Sequence, residues 1–318
     1  MIIKPSSLGD IIHGLQVAQA LKRQIPDTHI TWVAREVFVP FVEECSAVDR
    51  VLSFDRKGGA FAFWKLVRII RNETYDCVLD LQGLARSGIM AFFARSSRKF
   101  GRRDAREGAG WFYTKKTSLP PGAEAVHALD ILLGFCLLLG VEARSDGVLG
   151  FRPSKALPFP AIRNGEKPIL VFPGSRRAEK VWEGFPELTR LLLDRAPGNV
   201  VVWAGDEPKA TPSAFPGKRF HNLTGQTSLS ELPALVAQSR WVIANDSGPM
   251  HLGAALGIPT LGIFGPTDPA CFGPYPLKAP NNGVVRAPDG NLGQLEVDAV
   301  FRKFVEMEEL DTGRQAQG

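Results

Sequence analysis

Asp246, Ser247, Gly248, Pro249 and His251 fall within six residues. A carboxylate, a hydroxyl, a turn glycine and an imidazole packed so tightly suit the reception of an anionic group. The apolar run "WVIA" precedes them and the small-residue segment "HLGAALG" follows. That pattern predicts a strand, a tight turn and a helix. Pro249 suits the first helical turn, where a missing N–H costs nothing. The free N–H groups beyond it, together with the helix dipole, make an anion site, and phosphate is the natural guest. Ser247 offers a hydroxyl and Gly248 permits close backbone approach. The plainer alternative is a structural strand–turn–helix with His251 as a core histidine. Whether His251 touches a phosphate or only braces the turn stays open at this level.

Three further stretches carry candidate chemistry. "PSSLGD" places Ser6, Ser7, Gly9 and Asp10 directly after the first apolar run. Asp10 is either a first-turn helix cap or a carboxylate at a sheet edge, able to face a site. The loop has no Gly-Lys-Ser/Thr and no Gly-x-Gly-x-x-Gly, so neither a Walker loop nor a dinucleotide fingerprint is present. "FPGSRRAEKVW" gathers Ser175, Arg176, Arg177 and Lys180 after another apolar run. Such cations suit phosphate oxygens, and the alternative is a solvated charge run. "RSSRKFGRRDARE" (95–107) holds six basic residues in thirteen. Nucleic-acid binding is one reading, although the aromatic interleaving of a strand-binding surface is thin, and a multiply anionic small or lipid-linked partner fits equally well.

Alternating elements must position these loops. "MIIK", "HITWVA", "VDRVLSFD" and "YDCVLDLQG" read as strands. Between them, "DIIHGLQVAQALKRQIP" and "AFAFWKLVRIIRNE" show helical spacing. The alternation predicts a parallel sheet covered by helices on both faces. Ligands bind outside the C-terminal strand ends of such sheets. A proline-rich stretch, 153–168, reads as a linker, and a second α/β series then begins at "ILVFPGSRR". Within it, Ser228 and Glu231 form the Ser-x-x-Glu pattern of a capping box. The last residues, "DTGRQAQG", lack an apolar anchor and read as a frayed tail.

Length and composition agree with this division. At 318 residues, two domains are expected. Residues 1–160 hold 22 Lys and Arg against 16 Asp and Glu, whereas the remainder hold 16 against 17. The basic first half suggests an anionic partner there. Four widely spaced cysteines form neither a metal framework nor a disulfide scaffold and fit a reducing cytoplasm; Cys77 and Cys136 read as small buried hydrophobes. The first residues, stopped at Pro5, do not resemble a signal peptide. The longest apolar run, "ILLGFCLLLGV", has 11 residues, too short for a span of about 20, so any membrane contact is expected to be peripheral.

"NDSGPMHLGAALGIPTLGIFGPTDP" closely resembles the signature of the heptosyltransferases, glycosyltransferase family 9, the ADP-heptose-dependent enzymes of lipopolysaccharide core assembly. The likeness extends over nearly the whole chain. "KPSSLGDIIHGLQVAQALKRQIPDTHITWVA", "YDCVLDLQGLARSG", "KFGRRDARE" and "HALDILLGFCLLLG" recur in order and point to the type I branch, whereas "DSGPMHL" is more like types II and III. The resemblance implies an α/β GT-B fold, with two Rossmann-like doubly wound parallel-sheet domains facing a cleft. Residues 1–152 would bind the acceptor and 169–318 the nucleotide-sugar, with the C-terminal helix a candidate to pack back on the first domain. It implies inverting transfer of heptose from ADP-heptose to the Kdo region of a Kdo-lipid A acceptor.

Residue by residue, Asp10 matches the general base. Lys180 matches the lysine on the donor phosphates, with Ser175 and Arg176 beside it. Asp246, Ser247, Gly248, Pro249 and His251 match the donor-phosphate loop, and Asp206 and Glu207 the ribose contact. Ser6, Ser7 and Gly9 would shape the loop beside Asp10. Arg56, Lys57, Gln82, Arg86, Arg102, Arg103 and Arg106 are acceptor-side candidates. No Asp-x-Asp occurs, so no metal or other cofactor is expected, and cations with a helix start must meet the diphosphate charge. The implied protein is a monomer, peripheral at the cytoplasmic face of the inner membrane, with no nucleic-acid partner. The alternatives are a nucleotide-sugar epimerase of the same fold and a non-catalytic nucleotide-sugar-binding protein.

Overall fold

The computed structural model describes residues 1–118, 126–145, 147–152, 167–205, 215 and 219–315. The chain divides into two compact units, Met1–Arg152 and Pro153–Gly318. The expected linker falls almost wholly outside the described residues, as do Asp206 and Glu207.

In the first unit the strands are β1 (Ile2–Ile3), β2 (Thr31–Arg35), β3 (Arg50–Phe54), β4 (Val78–Asp80), β5 (Lys99–Gly101) and β6 (Lys115–Lys116). They form a wholly parallel sheet in the order β3-β2-β1-β4-β5-β6. Helices α1 (Leu8–Gln24), α2 (Val39–Glu43), α3 (Gly59–Arg71), α4 (Ala85–Phe93) and α5 (Ala128–Leu138) supply the crossovers and cover. Ile11, Leu15 and Ala18 are fully buried on α1, as their spacing predicts, and α1 packs on α5. The order reverses at β1, so the loops after β1 and β4 diverge there and leave a crevice for ligand.

The second unit repeats the plan with β7 (Ile169–Phe172), β8 (Val201–Trp203), β9 (Phe220–Asn222), β10 (Trp241–Asn245), β11 (Thr260–Phe264) and β12 (Asn282–Arg286). Their order, β12-β11-β10-β7-β8-β9, is the same doubly wound arrangement, with its switch between β7 and β10. Its helices are α6 (Phe185–Arg195), α7 (Leu232–Ala237), α8 (Gly248–Ala255), α9 (Pro269–Phe272) and α10 (Val297–Gln315). The central strands are buried on both faces, which is why they read as continuous apolar runs. Two Rossmann-like α/β sheets, as the GT-B resemblance implies, are therefore present.

Two details depart from the sequence expectations. The "DTGRQ" segment is helical rather than frayed, because α10 continues through Gln315 on a helix already anchored by Val300, Phe304 and Met307. That helix packs on α6 and β12 of its own unit, with Phe304 edge-on to Trp241 at 5.1 Å and Glu308 paired to Arg195 at 2.9 Å. Cys77 is only half-buried, since it precedes β4 at the sheet's lower rim, whereas Cys136 is fully buried.

Candidate active site

In the first unit the site starts where β1 ends. Lys4 follows the strand and is 1% exposed. Ser7 is the N-cap of α1 and Asp10 stands at its third position. The Ser7 N–H and Oγ–H both donate to Asp10 Oδ2, at 3.1 and 2.6 Å. Lys4 Nζ lies 3.2 Å from Asp10 Oδ1. Asp10 is thus a helix cap, yet 45% of its side-chain surface remains open. The cap thus fixes a carboxylate that stays partly open.

The electrostatics follow from these partners. Burial works against ionisation of Asp10, but the Lys4 ammonium and the two Ser7 hydrogen bonds outweigh it. The carboxyl sits well below the usual carboxylate range. Burial likewise drives the Lys4 ammonium below the ordinary lysine range, with Asp10 pulling the other way. Lys4 is shut off from water and its ammonium pairs with Asp10, so the pair fixes both groups.

Neighbouring strands bring further charge. Asp80, at the end of β4, is fully buried and accepts from the Gln82 and Gly83 N–H groups and from the Tyr113 hydroxyl, at 2.9, 3.0 and 2.7 Å. Those bonds tie down the loop that carries Gln82, whose buried Oε1 has no hydrogen-bond partner among the described residues. Arg102 follows β5 and grips Asp104 with two hydrogen bonds of 2.8 and 2.6 Å. It also lies close enough to Lys4, Asp10 and Asp80 to act on their charge. Gly83 is held at φ +70°, and a Cβ there would lie 3.2 Å from Arg102 Cδ. The Arg106 N–H donates to the Gly83 carbonyl at 2.9 Å. The loops after β4 and β5 are thereby joined.

The structure does not gather every candidate equally. Ser6, Ser7 and Gly9 flank Asp10 on the loop after β1, Gln82 and Arg102 lie on the loops after β4 and β5, and Arg103 and Arg106 lie exposed beyond Arg102. Arg56 and Lys57 follow the edge strand β3, and Arg86 lies in the first turn of α4. These three are exposed and make no ion pair among the described residues.

In the second unit the corresponding edge is tighter. Asp246 is 6% exposed, and its Oδ2 accepts from Lys180 Nζ and from the Thr267 hydroxyl, each at 2.5 Å. Asn245 is fully buried. It receives the Trp182 N–H at 3.2 Å and donates to the Pro173 carbonyl at 2.8 Å, which clasps the Lys180 loop to β10. Ser247 is the N-cap of α8, and Pro249 lies in its first turn, but the serine side chain makes no capping bond. Its buried Oγ has no hydrogen-bond partner among the described residues. The first N–H groups of α8 are therefore not capped by the Ser247 side chain, and the helix starts beside the Lys180–Asp246 pair. Gly253 lets α8 press on the sheet, since a Cβ there would meet Thr260 Oγ1 at 2.6 Å. Gly248 and Ser175 are half-buried, His251 is buried, and Arg176 is exposed. Arg177 turns to Glu179 at 2.6 Å.

Lys4, Asp80, Tyr113 and Thr267 are missing from the sequence-level candidates. A lysine at the end of the short apolar run "MIIK" is the one sequence signal that points to its burial. Tyr113 and Thr267 are placed by strand order and by the loop after β11, which no local pattern shows. Among the described residues, no cluster of three or more His, Cys, Asp or Glu side chains is arranged to hold a metal.

Comparison with known proteins gives the site its context. The family model for glycosyltransferase family 9 (heptosyltransferase) matches residues 63–296. Lipopolysaccharide heptosyltransferase 1 of Escherichia coli O18:K1:H7 (strain RS218) is 30% identical over 324 residues, covering 96% of each chain. The solved structure of E. coli heptosyltransferase WaaC with ADP is 26% identical with a TM-score of 0.77, over 96% of this chain and 98% of that one. WaaC with ADP-2-deoxy-2-fluoro heptose matches with a TM-score of 0.74 at the same identity and coverage. On the family match, the relative and the shared fold, this chain belongs to glycosyltransferase family 9, the heptosyltransferases.

Proposed function

We propose that this chain is an inverting, metal-independent heptosyltransferase that moves heptose from ADP-heptose to the Kdo region of the lipopolysaccharide inner core. The observation that carries the reading is Asp10, a half-open carboxylate held ionised by Lys4 and Ser7 at the switch point of the first sheet. The first unit would hold the acceptor, whose phosphates and carboxylates suit Arg102, Arg103 and Arg106. The second would hold the donor diphosphate at the α8 start, beside Lys180. Relatives of this chain support the donor: WaaC structures carry ADP and an ADP-heptose analogue.

The chemistry balances on these groups. The acceptor hydroxyl oxygen attacks the anomeric carbon from the face opposite the diphosphate. The new C–O bond forms as the bond to the diphosphate breaks, and ADP departs with the electron pair. The transition state is oxocarbenium-like, as in other glycosyl chemistry. Asp10 receives the hydroxyl proton. A carboxylate with a depressed pKa is a weak base towards a free alcohol, so the proton moves late, once bonding to carbon has made the oxygen acidic. Lys180 and the uncapped N–H groups of α8 meet the charge growing on the diphosphate.

The enzyme would act as a monomer, peripherally at the cytoplasmic face of the inner membrane, with no nucleic-acid partner. The test is incubation with ADP-heptose, with and without a Kdo-bearing acceptor, in the presence of a chelator. The expected result is ADP release only with acceptor, and an acceptor heavier by one heptosyl group. Conversion of donor without acceptor would point instead to an epimerase.

A further inference from the structure

α3 carries apolar residues on two sides. Leu66, Val67 and Ile70 are buried against the sheet, whereas Phe61, Trp64 and Ile69 are exposed at 83%, 51% and 38%. The exposed rings continue beyond the helix. Trp64 meets Phe93 at 5.5 Å, Phe93 meets Phe92 at 5.2 Å, and Phe92 meets Phe112 at 5.5 Å. Phe92 is 52% exposed on α4, and Trp111, next to Phe112, is 91% exposed. One aromatic line therefore crosses α3, α4 and the turn after β5. A contiguous apolar surface of this kind marks an interaction site rather than ordinary surface scatter.

The same surface is basic. No Asp or Glu occurs between residues 56 and 71, a stretch with five Lys or Arg, nor between 81 and 103, a stretch with six. Lys99 Nζ stands 5.4 Å above the Phe92 ring centre. The Lys116 ammonium lies against Gly110, beside Trp111: a Cβ built on that glycine would be 2.9 Å from Nζ. Lys65 and Arg68 are exposed on α3 among the aromatic residues. Aromatic tips with cationic side chains between them fit the boundary between lipid headgroups and acyl chains. Single-stranded nucleic acid, the other partner such a composition suits, needs open ring faces. Here Trp64, Phe92 and Phe93 meet edge to face and occupy one another's faces.

We propose that the α3–α4 face, with Trp111, is a docking surface for an anionic phospholipid bilayer. Phe61, Trp64, Phe92 and Trp111 enter the interface, and Lys65, Arg68, Lys99 and Lys116 meet the headgroup phosphates. The proposal rests on the peripheral placement given above, but it does not depend on the transfer chemistry. It would also deliver the basic loops of the first unit to a lipid-linked acceptor.

The test is flotation of the full chain with vesicles of phosphatidylglycerol and phosphatidylethanolamine, beside vesicles of phosphatidylcholine alone. Binding is expected to the anionic vesicles, and to weaken as salt rises. The double variant Phe61→Ser, Trp111→Ser removes the two most exposed rings without touching the core. It is expected to bind anionic vesicles about tenfold less. Its turnover on a delipidated, water-soluble acceptor is expected to match the unsubstituted chain, which separates docking from chemistry. Failure of the unsubstituted chain to float with anionic vesicles would overturn the proposal, as would unchanged binding by the variant. Equal loss of turnover on the soluble acceptor would place these rings in the acceptor site instead.

Discussion

Asp10 and Asp246 each lie beyond a strand that flanks the switch point of its unit, Asp10 in the first turn of α1 after β1 and Asp246 directly after β10, ahead of α8. Both pair with a lysine. Their surroundings nevertheless assign them different work. Asp10 keeps 45% of its side chain open and has one oxygen on Lys4 and the other on Ser7. Asp246 is 6% exposed and draws both Lys180 and Thr267 onto a single oxygen. In the first case the lysine is buried and the carboxylate reaches out; in the second the carboxylate is buried, and Lys180 keeps 14% of its side chain exposed. On the proposed function, a carboxylate–lysine pair would present an anion to the acceptor in one unit and a cation to the donor in the other.

Four substitutions test that contrast, in falling order of effect. Asp10→Asn removes the proposed base while keeping the shape of the cap. Turnover is expected to fall by about 10²–10⁴-fold with donor binding unchanged, measured by ADP release and calorimetry. Lys180→Met leaves Asp246 buried without its cation. The second unit should lose about 3–5 kcal/mol of stability in urea unfolding, with weaker ADP binding as well. If stability holds, the Lys180–Asp246 pair is not the brace described here.

Lys4→Met tests the electrostatics of the open carboxylate. The native Asp10 pKa lies below its ordinary value, so the unfolded chain binds more protons in acid. Its stabilising contribution is present above the ordinary carboxylate pKa and is lost as pH falls through the depressed one. The acid limb of kcat/KM should therefore lie below the usual carboxylate range in the native enzyme. Without Lys4 the desolvation of Asp10 is opposed only by weaker contacts, and that limb should move to higher pH. Ser7→Ala is the mildest change. It removes one of the two Ser7 hydrogen bonds, and turnover is expected to fall about two- to tenfold, with about 1 kcal/mol lost from the α1 cap.

Much of this was legible in the chain itself. The buried strands around β1 and β10 announced themselves as apolar runs ending in Gly, Ser, Asn and Asp, because a parallel strand covered on both faces needs no alternation. Pro249 and the small residues after His251 marked the start of α8. The short strands β5, β6, β9 and β12 were harder, because two to five residues carry too little periodicity to separate from loop. The partners of the carboxylates were least legible. Thr267 lies 21 residues from Asp246 and Tyr113 lies 33 from Asp80, and strand order alone brings each pair together. Asp10 was ambiguous for a physical reason: the Ser7 bonds that cap the helix are the same bonds that hold its carboxylate ionised.

The central claim is that the open carboxylate performs the proton transfer while the buried one holds the donor cation. Its most direct test is a paired measurement on Asp10→Asn: acceptor-dependent ADP release from ADP-heptose, and ADP binding by calorimetry. The expected result is release reduced by about two orders of magnitude or more with ADP affinity unchanged. Release at the rate of the unsubstituted enzyme would contradict the account and leave Asp10 a helix cap alone.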